Sequence, residues 1–208
     1  MSLIRLPRGL SALVIVLAPL ILTDAAPSTV QTPQQESLAG QLLIAAPTMR
    51  DPRFDHTVIL MVRHDRSGAL GIVINLPREE RPLASLLALL GEKDADVGGT
   101  VRIFAGGPVQ PEVGFVIHSA EYRQPETIVV DANVAVTSTR EILHDIADHK
   151  GPMKSLVAFG YAGWAPGQLE GELERRAWFT APGDPKLIFD EERDKVYDAA
   201  FARRTRDL

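Results

Sequence analysis

The chain of 208 residues contains no cysteine, so disulfides, thiol nucleophiles and cysteine-ligated metals are excluded. It also lacks the short patterns that announce a reaction. There is no P-loop ending in Gly-Lys-Ser/Thr, no GxGxxG and no HExxH. Aromatic residues are scarce at 6%, and no basic stripe interleaved with aromatics occurs of the kind that binds nucleic acid. No zinc finger or convincing helix-turn-helix is present either. The net charge of −5 argues against broad nucleic-acid binding, which needs a basic face to displace counterions from phosphate. Long apolar runs are missing as well. The block Ala12 to Leu22, at about 1.5 Å per residue, falls short of the ~30 Å hydrocarbon core, so no stable membrane span is expected in the mature chain.

That block does have a reading of its own. Arg5 and Arg8 precede it and Thr23-Asp24-Ala25-Ala26 follows, the order of a basic region, an apolar core and a small-residue cleavage site. Residues 1–25 are therefore expected to be a secretory signal peptide, with the mature protein exported to the periplasm. If the leader does not act as a signal, the chain is cytoplasmic. Residues 26–37 offer almost nothing to bury and read as a flexible tether. A single domain is expected over 38–208, with 45% hydrophobic and 24% charged residues in the ordinary globular range.

Within that domain the stretch Gly40 to Pro77 holds three short runs rich in Val and Ile, Leu42–Ala46, Val58–Val62 and Ala69–Ile74. Such runs read as strands buried on both faces. His64 to Gly68 between the last two is expected to be a hairpin turn, with Gly68 at positive φ. Pro77 to Pro82 reads as a charged loop, and Leu83–Leu90 as a helix stopped by Gly91. Further strands are expected at Val101–Ala105, Val113–His118, Thr127–Val130 and Val134–Val136, the last two joined by Asp131-Ala132-Asn133. Ser138 to Glu141 fits a capping box for a helix to about His149. Leu156–Phe159 reads as a strand, Gly160–Trp164 as a tight loop, and Pro166 as the start of a helix to about Trp178. A last helix is expected from Asp190 to Arg203 and Arg204. Strands come first and helices later, without βαβ alternation. The expected class is α+β with a mixed or mainly antiparallel sheet.

Each candidate for chemistry has a plainer role beside it. His64, Asp65 and Ser67 contain triad residue types, but neighbours in one hairpin tip do not stack in line, and turn formation accounts for them. His144 and Asp148 stand at i and i+4 without a third ligand, which favours a solvated helix face. Glu170, Glu172 and Glu174 read as a charged outer helix face, with Glu172 able to pair with Arg176. His118, at a strand end, reads as a packed histidine. No catalytic residue, metal site or cofactor is implied.

Several segments together resemble a known family. They are LLIAAPTMRDPRFDHTVILMVRHDRSGALGIVIN, then Gly106–Val109, Gly114-Phe115, the Thr-Ser before the capping box, and GYAGWAPGQLEGEL. In this order they are similar to the YqgE/AlgH family over about Leu38 to Tyr197. The resemblance implies a compact domain whose sheet is curled into a barrel-like core flanked by helices. It also implies a label of transcriptional regulator, through a link to alginate control, with no catalytic residues to transfer. The leader departs from the family pattern, whose members commonly begin just before the first strand. The expected function is a non-enzymatic binding or regulatory domain for a small ligand or protein partner. The alternative is a hydrolase or nuclease-like enzyme with dispersed carboxylates and histidines.

Binding residues are expected on loops at strand ends. Met49–Phe54 carries an aromatic, a carboxylate and two cations, and Gly160–Gln168 carries Tyr161 and Trp164. Asp51, Trp164 and Gln168 are expected to converge on one concavity, with helix amides beyond Pro166 open to an anion.

Overall fold

Alternation in two strands explains why the middle of the chain is so apolar. In the computed structural model, which describes residues 37–92 and 97–205, strand β1 (Leu42–Ala45) pairs antiparallel with β2 (Val58–Asp65). Successive side chains of a strand point to opposite faces. Leu42, Ile44, Leu60 and Val62 enter one core with Leu187, Ile188 and Val196, while Leu43, Ala45, Ile59 and Met61 enter a second with Trp164, Leu169 and Trp178. Both faces are covered, so no polar alternation survives in the sequence. The hairpin to β3 (Gly68–Val73) turns at Arg66 and Ser67, with Asp65 opposite Gly68 and Gly68 at φ 125° as expected.

The charged segment Pro77–Pro82 is not a loop but strand β4, paired antiparallel with β5 (Thr100–Ala105). It is an exposed edge strand, and edges are commonly blunted with charges and proline, so it shows none of the apolar pattern by which strands are found. Between them α1 (Leu83–Leu89) buries Leu83, Leu86 and Leu87. Gly91, at φ 93°, ends it in a Schellman motif: the Glu92 amide donates to the Leu87 carbonyl and the Gly91 amide to that of Ala88.

Strands β6 (Val109–Ser119), β7 (Ile128–Val129) and β8 (Val134–Thr137) follow. Asp131 Oδ1 makes the expected turn between β7 and β8 by accepting from the amides of Asn133 and Val134 at 2.6 and 2.8 Å. Helix α2 (Glu141–Ala147) starts without the expected capping box, since no side chain caps its first turn. The Thr139 hydroxyl beside it donates to Gln124 Oε1 instead.

The largest departure lies in β9 (Ser155–Trp164), which runs straight through the expected Gly160–Trp164 loop. Gly160 takes φ 75° inside the strand, and an added Cβ there would stand 2.4 Å from the Gly107 carbonyl oxygen. Glycine lets two backbones meet at this point while the strand continues. β9 pairs with β3, with β6 and, in parallel, with β5.

Helix α3 (Gln168–Glu174) is shorter than expected, and Trp178 opens β10 (Trp178–Ala181), which pairs with β1. The last helix, expected from Asp190, begins only at α4 (Val196–Ala202), and a π-helical turn at Lys186–Asp190 precedes it. The Arg193 guanidinium separates them by donating to the carbonyls of Ile188 and Glu191.

The sheet order is β10-β1-β2-β3-β9-β6-β8-β7, with β5 also on β9 and β4 on β5. The class is α+β and the sheet mostly antiparallel, as expected, but it is not a barrel. Closure requires the terminal strands to share a ladder, and β10 and β7 do not pair. β7 is two residues long, with Ile128 and Val129 exposed, and offers little edge for closure. Among the described residues no helix is long and apolar enough to cross a membrane. The expected leader and nearly all of the tether lie outside the described residues.

Candidate functional site

The end of β9, the loop after β1 and the segment from α3 to β10 meet around a cavity of about 260 Å³. Asp51, Trp164 and Gln168 all line it, so the structure brings together the residues chosen from the sequence. Each is held in place. Arg53 donates to Asp51 from Nη2 at 2.6 Å, from Nε at 3.0 Å and from its backbone amide at 3.0 Å. The guanidinium hydrogen bond is the main reason the Asp51 carboxyl sits below the usual carboxylate range. Trp164 stands edge-on to Trp178 at 6.0 Å, and Trp178 edge-on to Phe54 at 5.4 Å, a geometry favoured by ring quadrupoles.

The residue that organises this cavity is Glu172. Trp164 Nε1–H donates to Glu172 Oε2 at 2.9 Å, and Trp178 Nε1–H donates to the same oxygen at 2.8 Å. Gln168 Nε2 donates to Oε1 at 3.0 Å, while Gln168 Oε1 accepts the Ala165 amide at 3.1 Å. Sequence reasoning assigned Glu172 to a charged outer face and missed both it and Trp178. A partial signal was available: the chain has two tryptophans, buried indole N–H groups need acceptors, and the short helix between them carries three glutamates, Glu170, Glu172 and Glu174.

The charge balance of the cavity does not favour the anion expected at the helix amides beyond Pro166. Helix α3 has seven residues, and the walls of the cavity carry two carboxylates, Asp51 and Glu172, against one guanidinium, Arg53. A carboxylate offers about four acceptor positions, and the bonds described above fill three on Glu172. The remaining capacity, on Oε1, suits a donor.

The other candidates take structural parts. His64 accepts the Leu38 amide on Nδ1 at 3.1 Å, so its proton is on Nε2, which meets Glu170 Oε1 at 2.7 Å. Both ring nitrogens are engaged. Burial of the Glu170 carboxyl opposes its charge, but its hydrogen bonds, including that from His64, prevail and lower its pKa. Asp65 Oδ1 accepts from the amide and hydroxyl of Ser67 in the hairpin turn. His144 meets Glu92 at 2.6 Å and Asp148 pairs with Lys150 at 3.0 Å. No group of three or more metal-ligating side chains occurs among the described residues. His118 is fully buried, with Nδ1 toward the Ser119 carbonyl at 3.0 Å and Nε2 toward Thr137 Oγ1 at 2.9 Å.

Comparison with known proteins finds relatives of this chain. The AlgH-like domain family (DUF179) matches residues 42–208. A UPF0301 protein of Rhodospirillum rubrum is 42% identical over 166 residues, covering 80% of this chain and 86% of the relative. A UPF0301 protein of Sphingopyxis alaskensis is 44% identical over 164 residues, covering 78% and 87%. The solution structure of the AlgH protein from Pseudomonas aeruginosa matches with a TM-score of 0.69 at 38% identity, over 83% of this chain and 92% of that one. A crystal structure of a Corynebacterium diphtheriae protein, at 20% identity and TM-score 0.65, shares the fold over 84% of this chain and 91% of its own.

Proposed function

The chain belongs to the AlgH-like (DUF179, UPF0301) family, whose function is uncharacterised, and on that premise we propose that it is a non-enzymatic binding domain. Its ligand is a donor-rich cationic group, an amine or guanidinium, on a small molecule or a partner protein. The observation that carries this reading is Glu172, fixed by two indoles and one amide with acceptor capacity left on Oε1. Aromatic walls favour a cation further, because ring faces are electron-rich. Binding rather than catalysis is supported by the histidines at 64 and 118, each engaged at both nitrogens. Any regulatory role would then act through a bound partner, since the net charge of −5 does not favour nucleic acid. Export is part of the proposal and rests on Arg5, Arg8 and the Ala12–Leu22 block alone.

The test exploits composition: both tryptophans line the cavity. Agmatine and arginine are expected to move both indole N–H signals in a saturable way, and Glu172→Gln is expected to abolish this. Succinate shifting them instead would overturn the reading.

A further inference from the structure

A second cavity, of about 410 Å³, lies between β4, β5 and α1, within the range of about 300–1,000 Å³ usual for small-molecule sites. Leu86, Ile103, Phe104 and Phe159 give it an apolar lining, and Leu89 lies beside them with 68% of its surface exposed. Burying such a residue is favourable once something apolar covers it.

The charges come from β4, and one is there because the strand is irregular. Regular alternation would put Glu79 and Arg81 on one face, and Arg78 with Glu80 on the other. The ladder shifts register, however: Pro77 opposes Phe104 and Glu79 opposes the adjacent Ile103, leaving Arg78 unmatched in a bulge. Bulges re-aim side chains. Glu80 keeps to the far side, where it lines a different cavity and pairs with Arg102 at 2.8 Å. Arg78 has moved to join Glu79 and Arg81 around the apolar lining. Arg81 and Glu79 neutralise each other at 2.6 Å. Arg78 has no carboxylate partner among the described residues, so the cavity keeps one uncompensated positive charge.

We propose that this cavity binds an amphipathic anion, a fatty-acid-like carboxylate whose chain lies on Leu89 and Phe159 and whose head meets Arg78. The site is separate from the cavity around Glu172 and does not depend on its reading. Arg78 supplies a fork suited to a carboxylate, and Leu89 is covered by the tail.

The full chain should be titrated with dodecanoate below its micelle concentration, followed by calorimetry and thermal unfolding. Saturable binding with a raised Tm is expected. Arg78→Glu and Leu89→Ser change exposed positions and should each weaken binding, the former by about tenfold or more, as loss of a charge-assisted hydrogen bond implies. Acetate, which lacks a tail, and dodecyltrimethylammonium, which reverses the charge, should not bind saturably. Equal affinity of wild type and Arg78→Glu, or of the anionic and cationic amphiphiles, overturns the proposal. So does a dodecanoate response of the indole signals at Trp164 and Trp178, which lie in the other cavity. A dimer that dissolves in Leu89→Ser and refuses dodecanoate also overturns it, since Leu89 would then be covered by a second copy.

Discussion

Trp178 lies on β10 and Glu172 on α3, and the indole Nε1–H of the first donates to Oε2 of the second at 2.8 Å. The chain reverses between them at Arg176, which holds a left-handed φ of 55°. Removing the carboxylate orphans this indole and that of Trp164, both of which are buried. Glu172→Ala should therefore destabilise by roughly 1–3 kcal/mol for each unsatisfied donor. Glu172→Gln, which keeps an amide oxygen as acceptor, should lose less. Denaturant unfolding of the two variants checks the order, and equal losses would show that the indoles do not depend on this acceptor.

The same segment shows where the sequence stops being informative. The stripe Leu169, Leu173, Ala177 has helical period and does pack on one core, so the helix was legible. Its end was not, because the left-handed residue is an arginine and not a glycine. β10 was hidden behind the continued stripe. β4 was hidden because an edge strand of four charged residues between two prolines has no apolar side to alternate. β9 was cut at Gly160, where a turn signal serves a close crossing of backbones. Asp51, Trp164 and Gln168 were legible as residues near the ends of buried strands, although Trp164 closes β9 and Gln168 opens α3 where a loop was expected. Glu172 was not, because helical spacing alone cannot say that two distant indoles share one face of α3.

Gly68 combines two constraints. It holds φ 125°, and a Cβ built on it would lie 2.2 Å from the Trp164 carbonyl oxygen. Left-handed strain alone costs a side chain about 1–2 kcal/mol, and the backbone of β9 cannot yield freely. Gly68→Val should lower stability by more than about 2 kcal/mol by chemical denaturation. Unchanged stability would mean that the hairpin shifts away from β9.

His118 should make the fold sensitive to acid. Burial depresses its pKa below the ordinary value, with the Ser119 carbonyl and Glu121 opposing more weakly. Above about pH 6.5 both folded and unfolded chains hold it neutral. As pH falls below that, the unfolded chain takes a proton that the folded one refuses until its own lower pKa, and stability is lost. The wild type should lose more stability than His118→Gln between about pH 7.5 and about pH 5.5. Parallel losses would show that other groups carry the dependence.

Export predicts a shortened chain. Mass spectrometry of fractionated cells should find the mature N-terminus near Ala26, outside the cytosol. An intact Met1 form in the cytosol would contradict it.

The central claim is that the cavity around Glu172 receives a cation, and indole N–H chemical shifts test it most directly. Titration of the full chain with agmatine should move the signals of both Trp164 and Trp178 along one saturable curve, which Glu172→Gln flattens while the variant stays folded. Signals that ignore agmatine and arginine, or follow succinate instead, would contradict the account.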